Sequence, residues 1–450
     1  LGENGNGTSA ANGSAAADTE QQYDADVIVI GGGPAGSTIS GYLARAGYKV
    51  ITLERDIHPR EHVGESLVPA TNIVTHDLGF WPKMEQMGWV PKPGATWTGF
   101  KGGVGSEFVV TFADEPQDIP NPEYTYHVDR AIFDAMFLKH AQELGANVVQ
   151  GASVKKILFE GDRAVGVSAT VAGKDIELRS KFVVDASGRR TMIGKQLGLR
   201  EKDPQFNQFA IYSWFKNVKP PKEETKDYIH VHFLPIERGW VWHIPIYDDA
   251  TSVGVVVEKK EFQKSGKTHE EFFNEVVKLS KNTVHALEDA ERIRPFFIEA
   301  DYSYKIEQFT GPGWMLVGDA ARFVDPIFSS GVSVAMRSSQ FAFGAIDAVL
   351  KGERTEEDAL GEYDETIQRG TQIWYEWITL YYRMQSLFSR FSAKKEYKAD
   401  IQQLLQGEVF DKGAIKVVDR MKAAVKAIEE TEGHMMQQFL GNVEVVEADV

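Results

Sequence analysis

DADVIVIGGGPAGSTISGYLARAGYKVITLERD, residues 24–56, decides the fold. Residues 27–30 are an apolar, β-branched run of the kind that forms a buried strand. Gly31, Gly33 and Gly36 follow as GxGxxG, and apolar residues then recur at helical spacing as far as Gly47. Residues 49–53 read as a second strand, ending in Glu54. Glycines at this spacing permit a tight turn and let the backbone approach a pyrophosphate at the helix N-terminus. An acid at the end of the second strand is placed to accept from a ribose hydroxyl. Three glycines alone are a weak signal, whereas strand, glycines, helix, strand and acid in that order are specific.

The chain has 450 residues, enough for two or three domains. Its 49 basic and 65 acidic residues leave a net charge of −16, and no basic run is long enough for a nucleic-acid footprint. No apolar stretch reaches the roughly 18 residues of a spanning helix, and no secretory segment opens the sequence. The expectation is a cytoplasmic protein with neither membrane nor nucleic-acid partner. Cysteine is absent, which excludes disulfides, thiolate zinc sites and thiol nucleophiles, and no metal site is expected. Residues 1–22, rich in Gly, Ala, Asn and Ser, are expected to be disordered. The sequons at Asn6 and Asn12 are accidents of that composition.

FVVDASGRR (182–190) reads as a strand entering a turn. WMLVGDAARFVDPIFSSGVSVAMRSSQFAFGAIDAVL (314–350) reads as a strand, Gly318-Asp319, a loop and a long helix from near Gly331. Asp319 alone is equally a helix-capping carboxylate. With HVDRAIFDAMF (127–137), these stretches make the chain resemble the FAD-dependent hydroxylase superfamily. The resemblance implies an α/β fold in which Gly318 and Asp319 hold the ribityl chain of FAD and Arg130 approaches the flavin. The FAD-binding domain is then discontinuous, at 23–90, 127–200 and 300–352. Segments 91–126 and 201–299 form an inserted substrate-binding β-sheet domain, and 353–450 is a C-terminal helical region with an aromatic block at 371–391.

GWVWHIPI (239–246) lies in the substrate sheet. Strand alternation puts Trp240, Trp242 and Ile244 on one face and Val241 and His243 on the other, while Pro245 ends the strand or marks an edge. Two large aromatics on one face are ordinarily core packing. In this fold, however, WxWxIP resembles the signature of flavin-dependent halogenases, in which the indoles stand between flavin and substrate. The loop PIFSSGV (326–332) precedes a helix whose unpaired amides favour an anion. The resemblance assigns Ser330 and Gly331 as the chloride-binding pair, with plain capping by Ser329 or Ser330 as the compatible alternative. It also assigns Lys92, in GWVPKPGATW after the GESLVP motif (64–69), as the catalytic lysine, and places Glu65 of that motif at the cofactor. Hypochlorous acid made from FADH2, O2 and chloride would reach Lys92 and be held as a hydrogen-bonded acid or as a lysine chloramine. Pro91 and Pro93 fix the backbone around Lys92, and Lys83 and Lys101 are nearby controls.

REKDPQFNQFAIYSWF (200–215), HVGESLVPA, ARFVDPIFSSGVSVA and the ITLYYR block resemble the halogenases that chlorinate a pyrrole carried as a thioester on a peptidyl or acyl carrier protein. Tryptophan halogenases have an acid two positions before the halide pair. Here that position is Phe328, which becomes a substrate-pocket residue. The resemblance implies the carrier as a partner, and because no second GxGxxG unit is apparent, FADH2 is expected from a separate reductase. Arg383, Arg390, Lys394, Lys395 and Lys398 are the candidate docking cluster, although a solvated helix face explains them equally. The competing functions are an FAD-dependent aromatic monooxygenase and a non-catalytic flavin-binding component of an assembly line.

Overall fold

The computed structural model describes residues 22–99, 107–300, 303–323, 325–384, 388, 394–410 and 415–445. Residues 1–21 with both sequons, Lys101 and Arg390 lie outside the described residues.

The Ala25–Ile30 strand is the spine of the first sheet. It pairs in parallel with Val50–Glu54 on one side and with the end of Lys174–Asp185 on the other. Asn147–Gln150 extends the sheet beyond Val50–Glu54, and Trp314–Leu316 and Thr310–Gly311 extend it beyond Lys174–Asp185. Parallel strands covered on both faces read as continuous apolar runs, and Val27, Ile28 and Val29 are fully buried. The Pro34–Arg45 helix packs on the Arg130–Glu143 and Gly331–Leu350 helices. Lys174–Asp185 changes partner along its length: its first half pairs antiparallel with Arg163–Val171, itself hairpinned to Ala152–Glu160.

The second sheet runs Glu291–Arg292, Gln208–Lys216, Ala250–Glu258, Trp240–Tyr247, Ile229–Phe233, Gly94–Thr98, Phe108–Thr111, with Phe297–Ala300 also on Gln208–Lys216. One face carries Ile211, Val241, Val253 and Val255 against Phe272 and Phe273 of the His269–Val276 helix. Thr268 begins that helix with a reciprocal capping box to Glu271. The opposite face carries the indoles. Pro245 does not end its strand, which continues to Tyr247. It sits where pairing with Ile229–Phe233 has stopped at His243 and just before the register slips against Ala250–Glu258. The strand is an edge at that point, and this is why proline is tolerated there.

The C-terminal region holds three helices of eight residues or more among the described residues, Glu356–Arg383, Lys398–Gln406 and Lys416–Glu430. Thr355 caps the first, with Glu356, Glu357 and Asp358 in the opening turn where acids complement the helix dipole. Its inner face buries Trp374, Trp377, Tyr381 and Tyr382. No helix among the described residues is long and apolar enough to cross a membrane.

The first helix crosses the strand turn without room for a side chain. A Cβ on Gly36 would lie 1.8 Å from the Gly31 carbonyl oxygen. Gly36→Ala is therefore expected to lower stability by about 3 kcal/mol or more, read as a reduced denaturation midpoint or as loss of soluble protein.

Candidate active site

A cavity of about 460 Å³ lies between the ends of the first sheet's parallel strands and the indole face of the second. Gly31, Gly33 and Glu54 line one end. Gly31 has φ +105°, and a Cβ there would meet the Ala186 carbonyl oxygen at 2.4 Å, so the fold itself requires glycine. Gly33 differs. Its backbone is ordinary, and the one heavy atom within 4 Å of a Cβ would be Arg60 Nη2 at 3.6 Å. Nothing in the protein demands glycine there, and the space a side chain would take opens on the cavity. This is the cradle expected for a group that approaches the backbone closely. Glu54 is held beside it, accepting from the Gly32 amide at 2.5 Å and the Asp56 amide at 2.7 Å.

Arg130 is buried at the start of its helix, its fork bonded to Asp134 at 2.8 and 3.0 Å. Its remaining nitrogen donates to the carbonyls of Val63, at 2.7 Å, and Gly64. The guanidinium thus pins the segment that presents Glu65 to the cavity. One Glu65 oxygen accepts from Trp214 Nε1 at 2.6 Å, the Ser252 hydroxyl faces the same carboxyl, and burial pushes it up to about 7. Gly318 turns at φ +58° with its amide on Ser338, which delivers Asp319 to the cavity, where burial raises its pKa to about 6. The open space at Gly33, with Glu54 and Asp319 at the cavity, is the feature that a bound dinucleotide of the FAD type would complete.

Trp240, Trp242 and Ile244 form the opposite wall, with the two indole centroids 5.8 Å apart. Trp240 Nε1 donates to the Tyr382 hydroxyl at 3.0 Å and Trp242 Nε1 to Ser252 Oγ at 3.1 Å, so neither ring is free to turn. Gly254, paired across the sheet with Trp242, leaves the space that the ring occupies. A Cβ there would come within 2.2 Å of it.

The loop at 326–332 is one short turn. Asp325 caps it by accepting from the Ile327 amide at 3.0 Å, and Pro326–Phe328 form a 3-10 turn. Ser329 takes the left-handed conformation, φ +60°, and the Gly331–Leu350 helix follows. No side chain caps that helix, so the capping alternative does not occur and its first amides keep their donors. Ser329 and Gly331 line the cavity, while Ser330 is buried beside them.

Lys92 is not in this cavity. It lines a second, narrow space of about 10 Å³ with Trp97, Phe112, Phe328 and Leu405. Ile229, Ile327 and Ser329 face both spaces and form the partition between them. Lys92 Nζ donates to the Leu67 carbonyl at 2.6 Å and lies 5.7 Å from the Phe112 ring centre. Burial alone drives its pKa down to about 7. Phe328 sits in a nest of rings, 5.0 Å from Tyr381 and 5.6 Å from Trp377. The control Lys83 bonds to His140 and pairs with Glu143.

The docking cluster fares differently. Arg383 is paired with Glu429 and Lys398 with Asp114, so two of its cations are neutralised within the chain. Sequence reading also missed Asp325, Tyr382, Ser252 and Gly254. Tyr382 stands in the ITLYYR block and Asp325 opens DPIFSSG, but their partners are set by tertiary packing alone.

Gly33→Val is expected to fold normally and to lose FAD affinity by at least about tenfold, measured by quenching of flavin fluorescence on titration. Wild-type affinity in a folded variant would remove Gly33 from the cofactor site.

The sequence profile of the FAD binding domain matches residues 24–373. A pyrrole-2-carbonyl peptidyl-carrier-protein chlorinase of Pseudomonas fluorescens is 44% identical over 440 residues, covering 94% of this chain and 98% of that protein. The corresponding brominase of Pseudoalteromonas luteoviolacea is 33% identical over 333 residues, 73% of this chain and 78% of that protein. The structure of the flavin-dependent brominase Bmp2 matches with a TM-score of 0.82 at 30% identity, covering 90% of this chain and 99% of that one. The chain belongs to the flavin-dependent halogenases, oxidoreductases that bind FAD and use its reduced form.

Proposed function

We propose that this halogenase chlorinates an electron-rich ring of the pyrrole type, carried as a thioester on a peptidyl carrier protein, with Lys92 delivering the chlorine. The observation that carries the reading is the buried Lys92 amine. It has a neutral carbonyl as partner, lies in an aromatic chamber, and is separated by a thin partition from the cavity that suits FAD.

Bound reduced FAD, with O2, supplies the oxidation of chloride to hypochlorous acid. The chain's own groups do the rest. The uncapped amides at Ser330 and Gly331 hold chloride. Trp240 and Trp242 keep the ring away from the cofactor, which disfavours direct oxygen transfer. Gly31, Gly33, Glu54, Glu65, Arg130, Gly318 and Asp319 hold and orient the cofactor. The neutral Lys92 amine attacks the chlorine of hypochlorous acid, forming an N–Cl bond and releasing water. The ring carbon then takes the chlorine, and the N–Cl electron pair returns to nitrogen as the ring gives up its proton. Phe328 leaves the chamber apolar, as suits a small flat ring.

The substrate class is supported by the names of the chlorinase and brominase relatives, and by physical sense. A five-membered ring offers little binding surface, and a carrier supplies both contact area and an effective concentration in the millimolar range. The reductase that provides FADH2 is a separate protein in this reading, and the reaction is assigned to the cytoplasm. Docking is assigned in this reading to the cluster of Arg383, Lys394, Lys395 and Lys398, of which Arg383 and Lys398 also pair with acids of the chain.

Lys92→Ala is expected to cut chlorination by on the order of 10³-fold while oxidation of FADH2 by O2 changes little. In the wild type, chlorination should rise with pH through about 7 and then level, because the ammonium form has no lone pair and the neutral amine does. A rate that falls over that range would instead favour a hydrogen-bonded hypochlorous acid. Trp242→Ala should release more peroxide per turnover or yield hydroxylated product, detected by mass. Free pyrrole-2-carboxylate chlorinated as fast as its carrier-bound form would refute the tether.

A further inference from the structure

The partition between the two spaces is built largely from one short turn. Ile327 and Ser329 belong to the short turn that Asp325 caps, and the third member, Ile229, opens the Ile229–Phe233 strand. Phe328 packs among rings and the Ser329 amide closes the turn on Pro326, but what ties the turn to the indole wall is one buried hydroxyl on the C-terminal helix. Tyr382 donates to Asp325 Oδ1 at 3.0 Å, and that same oxygen accepts the Ile327 amide at 3.0 Å. The Tyr382 oxygen in turn accepts from Trp240 Nε1 at 3.0 Å and, weakly, from Gln208 Nε2 at 3.5 Å. One hydroxyl therefore joins an indole of the wall to the turn that carries the partition. It is buried together with Asp325.

We infer that Tyr382, acting through Asp325, is a positioning residue that fixes the Ile327–Ser329 turn against the Trp240 indole and so sets the aperture by which hypochlorous acid reaches Lys92. This rests on the proposed role of Lys92. The loop alone could hold chloride without Tyr382. What the hydroxyl adds is a fixed distance between the wall and the turn, because a single oxygen bonds to both. Loss of that bond frees the turn and leaves the indole N–H and the Asp325 oxygen each short of a partner. The expected consequence is leakage. Chloride is still oxidised, but part of the oxidant leaves the cavity instead of crossing the partition.

The test uses the FAD-loaded enzyme with FADH2, chloride, O2, the carrier-bound pyrrole and monochlorodimedone as a scavenger of free hypochlorous acid. Tyr382→Phe is expected to raise the ratio of scavenger to carrier chlorination at least fivefold, with FAD affinity within twofold of wild type. Hydrogen exchange read by mass spectrometry on a peptide covering 325–331 should be at least tenfold faster in the variant, with or without FAD. A merely destabilised protein would lower both chlorinations together and leave their ratio alone. An unchanged ratio, or unchanged exchange in the loop, overturns the inference. Asp325→Asn keeps an oxygen for both donors and is expected to hold the ratio within twofold of wild type. Asp325→Ala, which removes that oxygen, is expected to raise the ratio as Tyr382→Phe does, and a ratio left at the wild-type value would overturn the route through Asp325. Should the wild type chlorinate no ring, the reading of Lys92 fails and the aperture with it, whereas the exchange arm still decides whether Tyr382 fixes the turn.

Discussion

The contact on which the site depends is the crossing of the Pro34–Arg45 helix over the turn that follows Ala25–Ile30. There a Cβ at Gly36 would sit 1.8 Å from the Gly31 carbonyl oxygen. At this closeness the helix start, the strand end and the Ala186 segment beneath Gly31 form one rigid corner. The dinucleotide cradle at Gly33 is the cavity side of that corner. Because Ala25–Ile30 is paired on both edges, the same corner fixes where Glu54 emerges on one flank and where Asp185 and then Gly318-Asp319 emerge on the other. Cavity-lining residues far apart in sequence thus share one frame.

A second theme is the management of charge in dry space. Glu65, Asp319 and Asp325 are buried carboxyls raised towards neutrality, and Lys92 is a buried amine lowered towards it. The causes are the same, loss of hydration without a full counter-ion. Arg130 is the contrast: it is equally buried but bonded in a fork to Asp134, and it keeps its charge. The interior therefore separates a permanently charged pair that shapes the cavity from single groups able to gain or lose a proton near pH 7. Lys92 belongs to the second kind because Leu67 offers it a carbonyl and not a carboxylate.

The parts of this arrangement that were legible in sequence are those written in local pattern. The glycine turn, the alternation of Trp240, Val241, Trp242 and His243, and the loop before Gly331 each depend on spacing within a few residues. Of the two readings open for Pro245, a strand end or an edge, the edge holds, because strand ends are set by partners: the strand it sits in continues on one neighbour after losing the other. Lys92 stands out through its motif, yet its separation from the larger cavity depends on Ile229 and Ile327, which come from distant segments. Gly254 looked like any glycine in a strand until Trp242 was seen to lie across it. Tyr382 looked like one aromatic among many. Its role comes from three bonds to residues more than fifty positions away.

The interleaving of the two sheets has a consequence for the order in which the molecule is made. The first sheet's central strand finds Val50–Glu54 early, but its other neighbour, Lys174–Asp185, arrives only after the Gly94–Thr98 and Phe108–Thr111 strands of the second sheet have been synthesised. Those two strands must in turn wait for Ile229–Phe233 before they can pair into their sheet. Each half of the nascent chain therefore carries exposed edges that only the other half can cover. Such long-range pairing makes folding slow and leaves intermediates prone to aggregate. Expression at low temperature with chaperones, and intolerance of truncation ahead of Tyr382, are what a fold threaded in this order would impose on anyone preparing the protein.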